Sequence, residues 1–213
     1  MTQKTDLLLP VMTGQPVIPV LKIARLEHAV PLARALAHGG LTAVEITLRT
    51  PVAIDAIKAV ANEVPEAVSG AGTILNARQF EQAAGAGARF IVSPGATDQV
   101  LAAAGNSDVP LLPGAVTSSE IMKAAEHGYS LLKFFPAEQA GGAAYLKSLS
   151  AVFADVGFCP TGGITADNAA TYLSLKNVLC VGGSWVAPDE LVNDGKWAEI
   201  EALARAASGL ARN

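Results

Sequence analysis

The chain has 213 residues, of which 51% are hydrophobic and 16% are charged, and its formal net charge is −4. That length fits one domain, or at most two small ones, with a sizeable core. A mildly acidic chain without a basic stripe argues against a nucleic-acid partner. No apolar run reaches the roughly 18 residues that a membrane span needs. We therefore expect a cytoplasmic protein.

The first 15 residues or so precede the first strand-like run. Leu7-Leu8-Leu9 stops at Pro10 and has only Lys4 before it. It is too short and too weakly basic to indicate a secretory signal. We expect residues 1–15 to form a short helical cap over one end of the fold.

Short apolar runs and Ala-rich segments then alternate along the chain. The strand-like runs are Pro16–Leu21, Ala43–Leu48, Ala67–Ala71, Arg89–Ser93, Val109–Pro113, Leu131–Phe135, Val156–Cys159 and Val178–Val181. The helical segments are His28–Ala37, Val52–Asn62, Ala77–Ala84, Ser118–Glu126, Gly142–Ala151, Ala166–Leu173 and a last helix from about Lys196 to Ser208.

Eight strands that alternate with helices predict an α/β fold with a parallel sheet. The short repeating units favour a compact (β/α)8 barrel, in which residues 1–213 form a single domain. A doubly wound open sheet is the alternative. Its dinucleotide-binding form is disfavoured because no Gly-x-Gly-x-x-Gly follows the first strand.

The second strand places charged residues among apolar ones. Because side chains alternate along a strand, Glu45 and Arg49 share the face opposite to Val44 and Ile46. In a barrel the apolar set faces the helices, so the polar set points inward. A carboxylate and a guanidinium placed there are costly unless they are paired or functional. The alternative is a structural Glu45–Arg49 ion pair.

Lys133 lies within the apolar run Leu131–Phe135, just before Pro136. It is near the carboxyl end of a predicted barrel strand, where active sites are built. Apolar neighbours and a nearby cation favour the uncharged amine, which can attack a carbonyl carbon. The alternative is a solvated lysine on an edge strand.

Three glycine-rich segments follow the third, seventh and eighth predicted strands. They are Gly70-Ala71-Gly72-Thr73, Thr161-Gly162-Gly163-Ile164 and Gly182-Gly183-Ser184-Trp185. Backbone N–H groups in such turns bind phosphate. The last two segments are the favoured phosphate site, since loops after strands 7 and 8 commonly serve this purpose in barrels.

The remaining reactive side chains give no cofactor signal. The cysteines, Cys159 and Cys180, lie in apolar runs and are expected to be reduced thiols. The three histidines form no metal-binding motif, so we expect neither a metal nor another cofactor. No nucleotide-binding phosphate loop with Lys-[Ser/Thr] occurs, which disfavours an NTPase.

These motifs resemble those of the 2-keto-3-deoxy-6-phosphogluconate (KDPG) / 4-hydroxy-2-oxoglutarate (KHG) aldolase family. The resemblance spans about residues 16–207. It is specific because separate motifs occur in order, each at the end of a predicted strand. The matching segments are 44–50, 70–73, 93–95, 133–138, 158–164 and 182–185.

The resemblance implies a homotrimeric barrel enzyme that cleaves its substrate to pyruvate and glyceraldehyde 3-phosphate without a cofactor. It implies that Lys133 forms the Schiff base and that Glu45 is the general acid/base. Arg49, with Thr73, would hold the substrate carboxylate. The phosphorylated keto acid and pyruvate would be its small-molecule partners.

The resemblance also implies how the rest of the substrate is held. Pro94 and Phe135 would wall the ketoacid pocket. Thr161 is linked to facial selectivity at the aldehyde carbon and favours the gluconate over the galactonate epimer. The phosphate-binding residues would be Gly162, Gly163, Gly182, Gly183 and Ser184.

Two rival functions fit the same fold. One is a phosphate-binding isomerase or decarboxylase that uses Lys133 electrostatically. The other is a non-catalytic barrel that binds a sugar phosphate. Only the aldolase forms an imine with pyruvate, so borohydride trapping distinguishes it from both.

Overall fold

The computed structural model describes residues 3–212. Its strands are β1 Val17–Leu21, β2 Ala43–Thr47, β3 Val68–Gly72, β4 Phe90–Val92, β5 Leu111–Leu112, β6 Leu131–Phe134, β7 Gly157–Pro160 and β8 Val181–Gly183. Its helices are α1 Thr5–Gly14, α2 Ala29–His38, α3 Ala53–Glu63, α4 Ala77–Gly85, α5 Asp98–Gly105, α6 Ser118–Glu126, α7 Gly142–Leu149, α8 Ala169–Leu173, α9 Asp189–Asn193 and α10 Trp197–Ser208.

The strands form a closed ring in which every pairing is parallel. One sheet has the order β5-β4-β3-β2-β1-β8, and β6 pairs with β7. A bridge between Gly114 and Lys133 joins β6 to the end of β5, and a bridge between Thr161 and Gly182 joins β7 to β8. The predicted (β/α)8 barrel is therefore confirmed, and the open doubly wound sheet is wrong.

The alternation predicted for the strands separates two apolar regions. Val44, Ile46 and Leu132 belong to the large cluster between the strands and the surrounding helices. Ala43 and Leu131 lie in a smaller cluster inside the barrel. Each strand therefore has one face toward the helices and one toward the barrel axis, as the period of two requires.

Helix α1 seals one end of the barrel. Its buried side chains, Leu8 and Met12, belong to the interior cluster. The other members of that cluster are Ile18, Ala43, Phe90, Val92, Leu112, Leu131, Cys159 and Cys180. The helical cap predicted for residues 1–15 is therefore present over Thr5–Gly14, while residues 1 and 2 lie outside the described residues, as does residue 213 of the predicted single domain 1–213.

Strands β8 and β3 differ from the sequence prediction in ways that concern the glycine-rich segments. Strand β8 is Val181–Gly183 rather than 178–181, because Gly182 and Gly183 pair with Ile18 and Pro19 of β1. Gly70 and Gly72 lie within β3 rather than in a turn after it. A side chain at Gly70 would collide with the Phe90 ring, which lies within 2.5 Å of an ideal Cβ there.

Helices α5 and α9 were not predicted. The side chain of Thr97 caps α5 by accepting a hydrogen bond from the Val100 N–H at 3.4 Å. Within residues 3–212, no helix is both long and apolar enough to cross a membrane.

Candidate active site

Strands β2 and β6 bring a lysine and a carboxylate together inside the barrel. Lys133 Nζ donates to Glu45 Oε1 at 3.0 Å and to Oε2 at 3.3 Å. The two side chains are only 7% and 4% exposed. Strand β3 makes room for the carboxylate, because an ideal Cβ at Gly72 would lie 2.0 Å from Glu45 Oε1.

This pairing decides two alternatives left by the sequence. Glu45 is paired with Lys133, so the proposed Glu45–Arg49 structural ion pair is wrong. Lys133 is 6% exposed, so it is not a solvated edge-strand residue. Its Nζ lies 5.6 Å from the centroid of the Phe135 ring.

A cavity of about 220 Å³ opens above the Lys133–Glu45 pair. The residues predicted for catalysis, the ketoacid pocket and facial selectivity all line it. They are Glu45, Arg49, Thr73, Pro94, Lys133, Phe135 and Thr161. Val20 and Thr47 also line it and were not predicted as site residues.

Thr47 holds the Arg49 guanidinium in place. The buried Thr47 hydroxyl donates to the Leu21 carbonyl at 2.7 Å. A hydroxyl has a single proton, so its lone pairs remain for Arg49 Nε, which donates to it at 2.8 Å. Thr47 of β2 thereby links the Leu21 carbonyl of β1 to the Arg49 guanidinium and holds this cation at the cavity wall.

Two threonines have unusual local settings in the cavity. Thr73 has a φ of 61°, a left-handed conformation that is strained for a β-branched residue and that is often found at functional sites. Thr161 Oγ1 is buried and has no hydrogen-bond partner within residues 3–212. An unpaired buried hydroxyl is costly, and a ligand oxygen in the cavity would satisfy it.

The predicted phosphate residues border the cavity rather than line it. An ideal Cβ at Gly162 would lie 3.2 Å from the Phe135 ring. At Gly182 it would lie 2.2 Å from Thr161 Oγ1, and at Gly183 it would overlap the Trp185 ring. These contacts require glycine and place both glycine segments next to residues of the cavity wall.

In the turn formed by residues 161–164, Gly162 and Gly163 have φ values of 100° and 74°. The hydrogen bonds found within residues 3–212 use none of the N–H groups of Gly162, Gly163 and Ile164. Successive free N–H groups in such a turn form a concave anion-binding site. Ser184 is exposed on the neighbouring loop, and its hydroxyl is likewise unused in that part of the chain.

Neither the cysteines nor the histidines form a second reactive site. Cys159 and Cys180 are buried free thiols. A hydrogen bond with Cys159, together with burial, raises the pKa of the Cys180 thiol well above its usual value, which makes it unreactive. No group of three or more potential His, Cys, Asp or Glu metal ligands occurs in the described part of the chain.

A closed parallel barrel with a lysine and a carboxylate buried at its mouth defines a class of enzyme. The lysine can bind a carbonyl substrate covalently, and the carboxylate can move protons beside it. The carboxyl ends of barrel strands are where such catalytic residues lie.

Comparison with known proteins identifies the family. Residues 9–203 match the family model described as "Aldolase: KDPG and KHG aldolase". The KHG/KDPG aldolase of Escherichia coli K12 is 49% identical over 197 residues, which cover 92% of each chain. The 2-dehydro-3-deoxy-phosphogluconate aldolase of Pseudomonas aeruginosa is 51% identical over 191 residues, 90% of this chain and 87% of that protein.

Two solved structures are similar over nearly the whole chain. The Legionella pneumophila KDPG aldolase, captured with pyruvate as a covalent carbinolamine intermediate, has a TM-score of 0.93 and 48% identity, covering 94% of this chain and 98% of its own. The Zymomonas mobilis ZM4 enzyme with 3-phosphoglycerate has a TM-score of 0.92 and 47% identity, with coverages of 100% and 98%.

The chain therefore belongs to the KDPG and KHG aldolase family. The family resemblance predicted from the sequence motifs is confirmed. So is the prediction that the chain is a Schiff-base aldolase, a carbon–carbon lyase.

Proposed function

We propose that the protein cleaves 2-keto-3-deoxy-6-phosphogluconate to pyruvate and glyceraldehyde 3-phosphate, and that it also acts on 4-hydroxy-2-oxoglutarate. The observation that carries this proposal is the buried contact of 3.0 Å between Lys133 Nζ and Glu45 Oε1 at the base of a small cavity. The cavity accepts a ketoacid from the barrel mouth, and Arg49 at its wall can bind the carboxylate as a planar two-pronged donor.

Lys133 is the nucleophile of this proposal. Its amine must lose a proton before it attacks the C2 ketone, and Glu45 is the base within hydrogen-bond distance. The amine adds to C2, and loss of water gives an iminium. That cation withdraws electrons from the adjacent C3–C4 bond.

Glu45 then transfers protons between the two halves of the substrate. It takes the proton of the C4 hydroxyl, through a water, as the C3–C4 bond breaks and the aldehyde forms. The bonding electrons become the enamine of pyruvate on Lys133. Protonation of the enamine by Glu45 and addition of water release pyruvate and restore the amine. The iminium supplies the polarisation, so the scheme uses no metal.

The two glycine segments are proposed to bind the phosphate of the substrate. Free N–H groups at Gly162 and Gly163, together with the exposed Ser184 hydroxyl, offer hydrogen-bond donors beside the cavity. Gly182 and Gly183 act by leaving space for Thr161 and Trp185. Thr161, whose hydroxyl is unpaired, faces the aldehyde end and sets the facial selectivity.

The proposal also covers the location, the domain organisation and the oligomeric state of the enzyme. We propose that the enzyme works in the cytoplasm with one-domain subunits, and that these subunits form a homotrimer, as the family resemblance implies. Size-exclusion chromatography with light scattering tests the trimer directly, and a mass of one or two subunits would contradict it.

The decisive experiment is borohydride trapping of the imine with pyruvate. Intact mass spectrometry should show one reduced pyruvate adduct per wild-type chain and none on Lys133→Ala. Lys147→Ala, which removes an exposed lysine of α7, is the matched control and should be labelled as the wild type is. Continued labelling of Lys133→Ala would place the nucleophile elsewhere.

The same experiment separates the rival functions. An isomerase or decarboxylase that uses Lys133 only as a charge, or a barrel that only binds sugar phosphates, would not be labelled. A coupled assay of pyruvate release from the phosphorylated ketoacid and from 4-hydroxy-2-oxoglutarate then ranks the two substrates.

A further inference from the structure

Hydrogen bonds that its three carbonyl oxygens accept from other residues hold the turn at residues 161–163 in place. The Ala137 N–H donates to the Thr161 carbonyl at 2.8 Å, and the Glu138 N–H donates to the Gly162 carbonyl at 3.1 Å. The third carbonyl, that of Gly163, accepts from a side chain described next. The Thr161 N–H donates to the Phe134 carbonyl at 2.9 Å, whereas the N–H groups of Gly162 and Gly163 have no acceptor within residues 3–212 and are available to a ligand.

Asn168 holds the third carbonyl. Its side-chain Nδ2 donates to the Gly163 carbonyl at 3.1 Å, and its Oδ1 accepts from the Thr165 N–H at 2.8 Å. One amide therefore closes the loop that runs from β7 to α8. Asn168 lies outside the cavity, so it acts on a bound molecule through the orientation of Gly163.

Tyr172 holds Glu138, the residue that anchors the middle carbonyl. The buried Tyr172 hydroxyl donates to Glu138 Oε1. Burial and the Glu138 carboxylate raise the pKa of Tyr172 well above its usual value, so the phenol keeps its proton and stays a donor. The Glu138 side chain in turn packs on Gly163, where an ideal Cβ would lie 2.6 Å from Glu138 Cγ.

From these contacts we infer that Asn168 and Tyr172 are positioning residues for the phosphate end of the substrate. They fix the carbonyl side of the 161–163 turn, so that the N–H groups of Gly162 and Gly163 are presented as a rigid anion site. The inference rests on the proposed function, because it assigns a substrate phosphate to that turn. Neither residue was singled out by sequence motifs, since Asn168 acts through backbone atoms and Tyr172 acts through the Glu138 carboxylate.

The inference predicts a loss that depends on the phosphate. Asn168→Ala and Tyr172→Phe should each raise KM for the phosphorylated ketoacid about tenfold, the equivalent of one lost hydrogen bond in the site. kcat should stay within about twofold, because the groups around Lys133 are unchanged. Cleavage of 4-hydroxy-2-oxoglutarate and exchange of the pyruvate methyl protons should stay at wild-type rates. Neither process involves a phosphate group.

Tyr129→Phe is the matched control for Tyr172→Phe. Both tyrosines are buried, but Tyr129 lies in the segment that connects α6 to β6, and its hydroxyl has no partner within residues 3–212. The control should leave both substrates unaffected. If Tyr172→Phe proves unstable, Asn168→Ala at a half-buried loop position gives the same measurement.

Inorganic phosphate provides a second readout that needs no substrate phosphate. It should inhibit cleavage of 4-hydroxy-2-oxoglutarate by the wild type and do so about tenfold more weakly in either variant. Equal losses with both substrates, or no change in KM and phosphate inhibition, would overturn the inference. A wild-type protein without pyruvate trapping would instead refute the proposed function, so the two failures are distinguishable.

Discussion

The two halves of the barrel interior are built from the same strands and differ in polarity. In β2, Ala43 lies in the apolar lower half and Glu45 in the charged upper half. In β6, Leu131 and Lys133 are divided in the same way. The lower half is closed by α1, and the upper half contains the cavity. A shift of two residues along a strand therefore separates the part that stabilises the fold from the part that reacts.

This contrast has an energetic basis. Burial of apolar side chains in the lower half contributes to stability at about 25 cal/mol per Å². In the upper half, transfer of two charges out of water costs several kcal/mol per ion, and their attraction offsets only part of it. We therefore expect changes in the lower half to alter unfolding alone, and changes in the upper half to alter turnover and, where one charge is left buried without its partner, unfolding as well.

The largest expected effect is on proton transfer. Glu45→Gln should slow exchange of the pyruvate methyl protons by roughly 10²- to 10⁴-fold, because an amide cannot accept and return the proton. Borohydride trapping on Lys133 should persist. Proton NMR in heavy water measures the exchange, with Glu81→Gln as an exposed control. Exchange at the wild-type rate would exclude Glu45 as the acid/base.

Removal of only one partner of the buried Lys133–Glu45 ion pair should lower the free energy of unfolding. Lys133→Met leaves the Glu45 carboxylate buried alone, so we expect a loss of about 3–5 kcal/mol in the free energy of unfolding. The double variant Lys133→Met/Glu45→Leu removes both charges and should be more stable than either single variant. Urea unfolding measures the cycle, and strictly additive effects would show that the pair is not coupled.

In the lower half, Met12→Ala should act on stability alone. Met12 is 1% exposed, so its truncation leaves a cavity and should lower the free energy of unfolding by about 2–5 kcal/mol. Met122→Ala, at a residue that is 55% exposed, is the matched control and should change it by less than about 0.5 kcal/mol. KM and kcat at a temperature where Met12→Ala is folded should match the wild type. A changed KM would contradict the view that the lower half affects stability alone.

The smallest of these effects concerns the hydrogen bond that Arg49 Nε donates to the Thr47 hydroxyl. Thr47→Val removes the acceptor of Arg49 Nε, so KM for the ketoacid should rise roughly tenfold. Thr47→Ser keeps the hydroxyl and should stay within about twofold of the wild type. If Thr47→Ser raised KM as much as Thr47→Val, the hydroxyl that both Thr and Ser carry would not explain the hold on Arg49.

Local alternation was sufficient to predict the charged half of the site. The direction of the Glu45 and Lys133 side chains follows from the strand period and their apolar neighbours, so the sequence alone predicts that both point into the barrel. The alternation of elements also predicts a parallel sheet and favours the barrel, whereas the choice against an open doubly wound sheet needed the observed strand order. Their contact of 3.0 Å, between residues 88 positions apart, required the closed fold.

What the sequence could not predict depends on backbone groups of other segments. The role of Thr47 needs the Leu21 carbonyl of a neighbouring strand, and the carbonyls of Thr161 and Gly162 need N–H donors from residues 137 and 138. The start of β8 was placed too early because Val178–Val181 is apolar, whereas pairing with β1 selects Gly182 and Gly183. For α5 a signal was present, since Thr97 is a good N-terminal capping residue followed by Asp98 in the first turn.

Because Leu8 and Met12 of α1 fill the opposite end of the barrel, we expect a substrate to reach the cavity above Lys133 from the barrel mouth. In the proposed reaction, the pyruvate carbon atoms joined to Lys133 lie at the base of the cavity, and the aldehyde fragment lies nearer the barrel mouth. In the proposed reaction the aldehyde therefore departs first and pyruvate second, and in the reverse condensation pyruvate enters first.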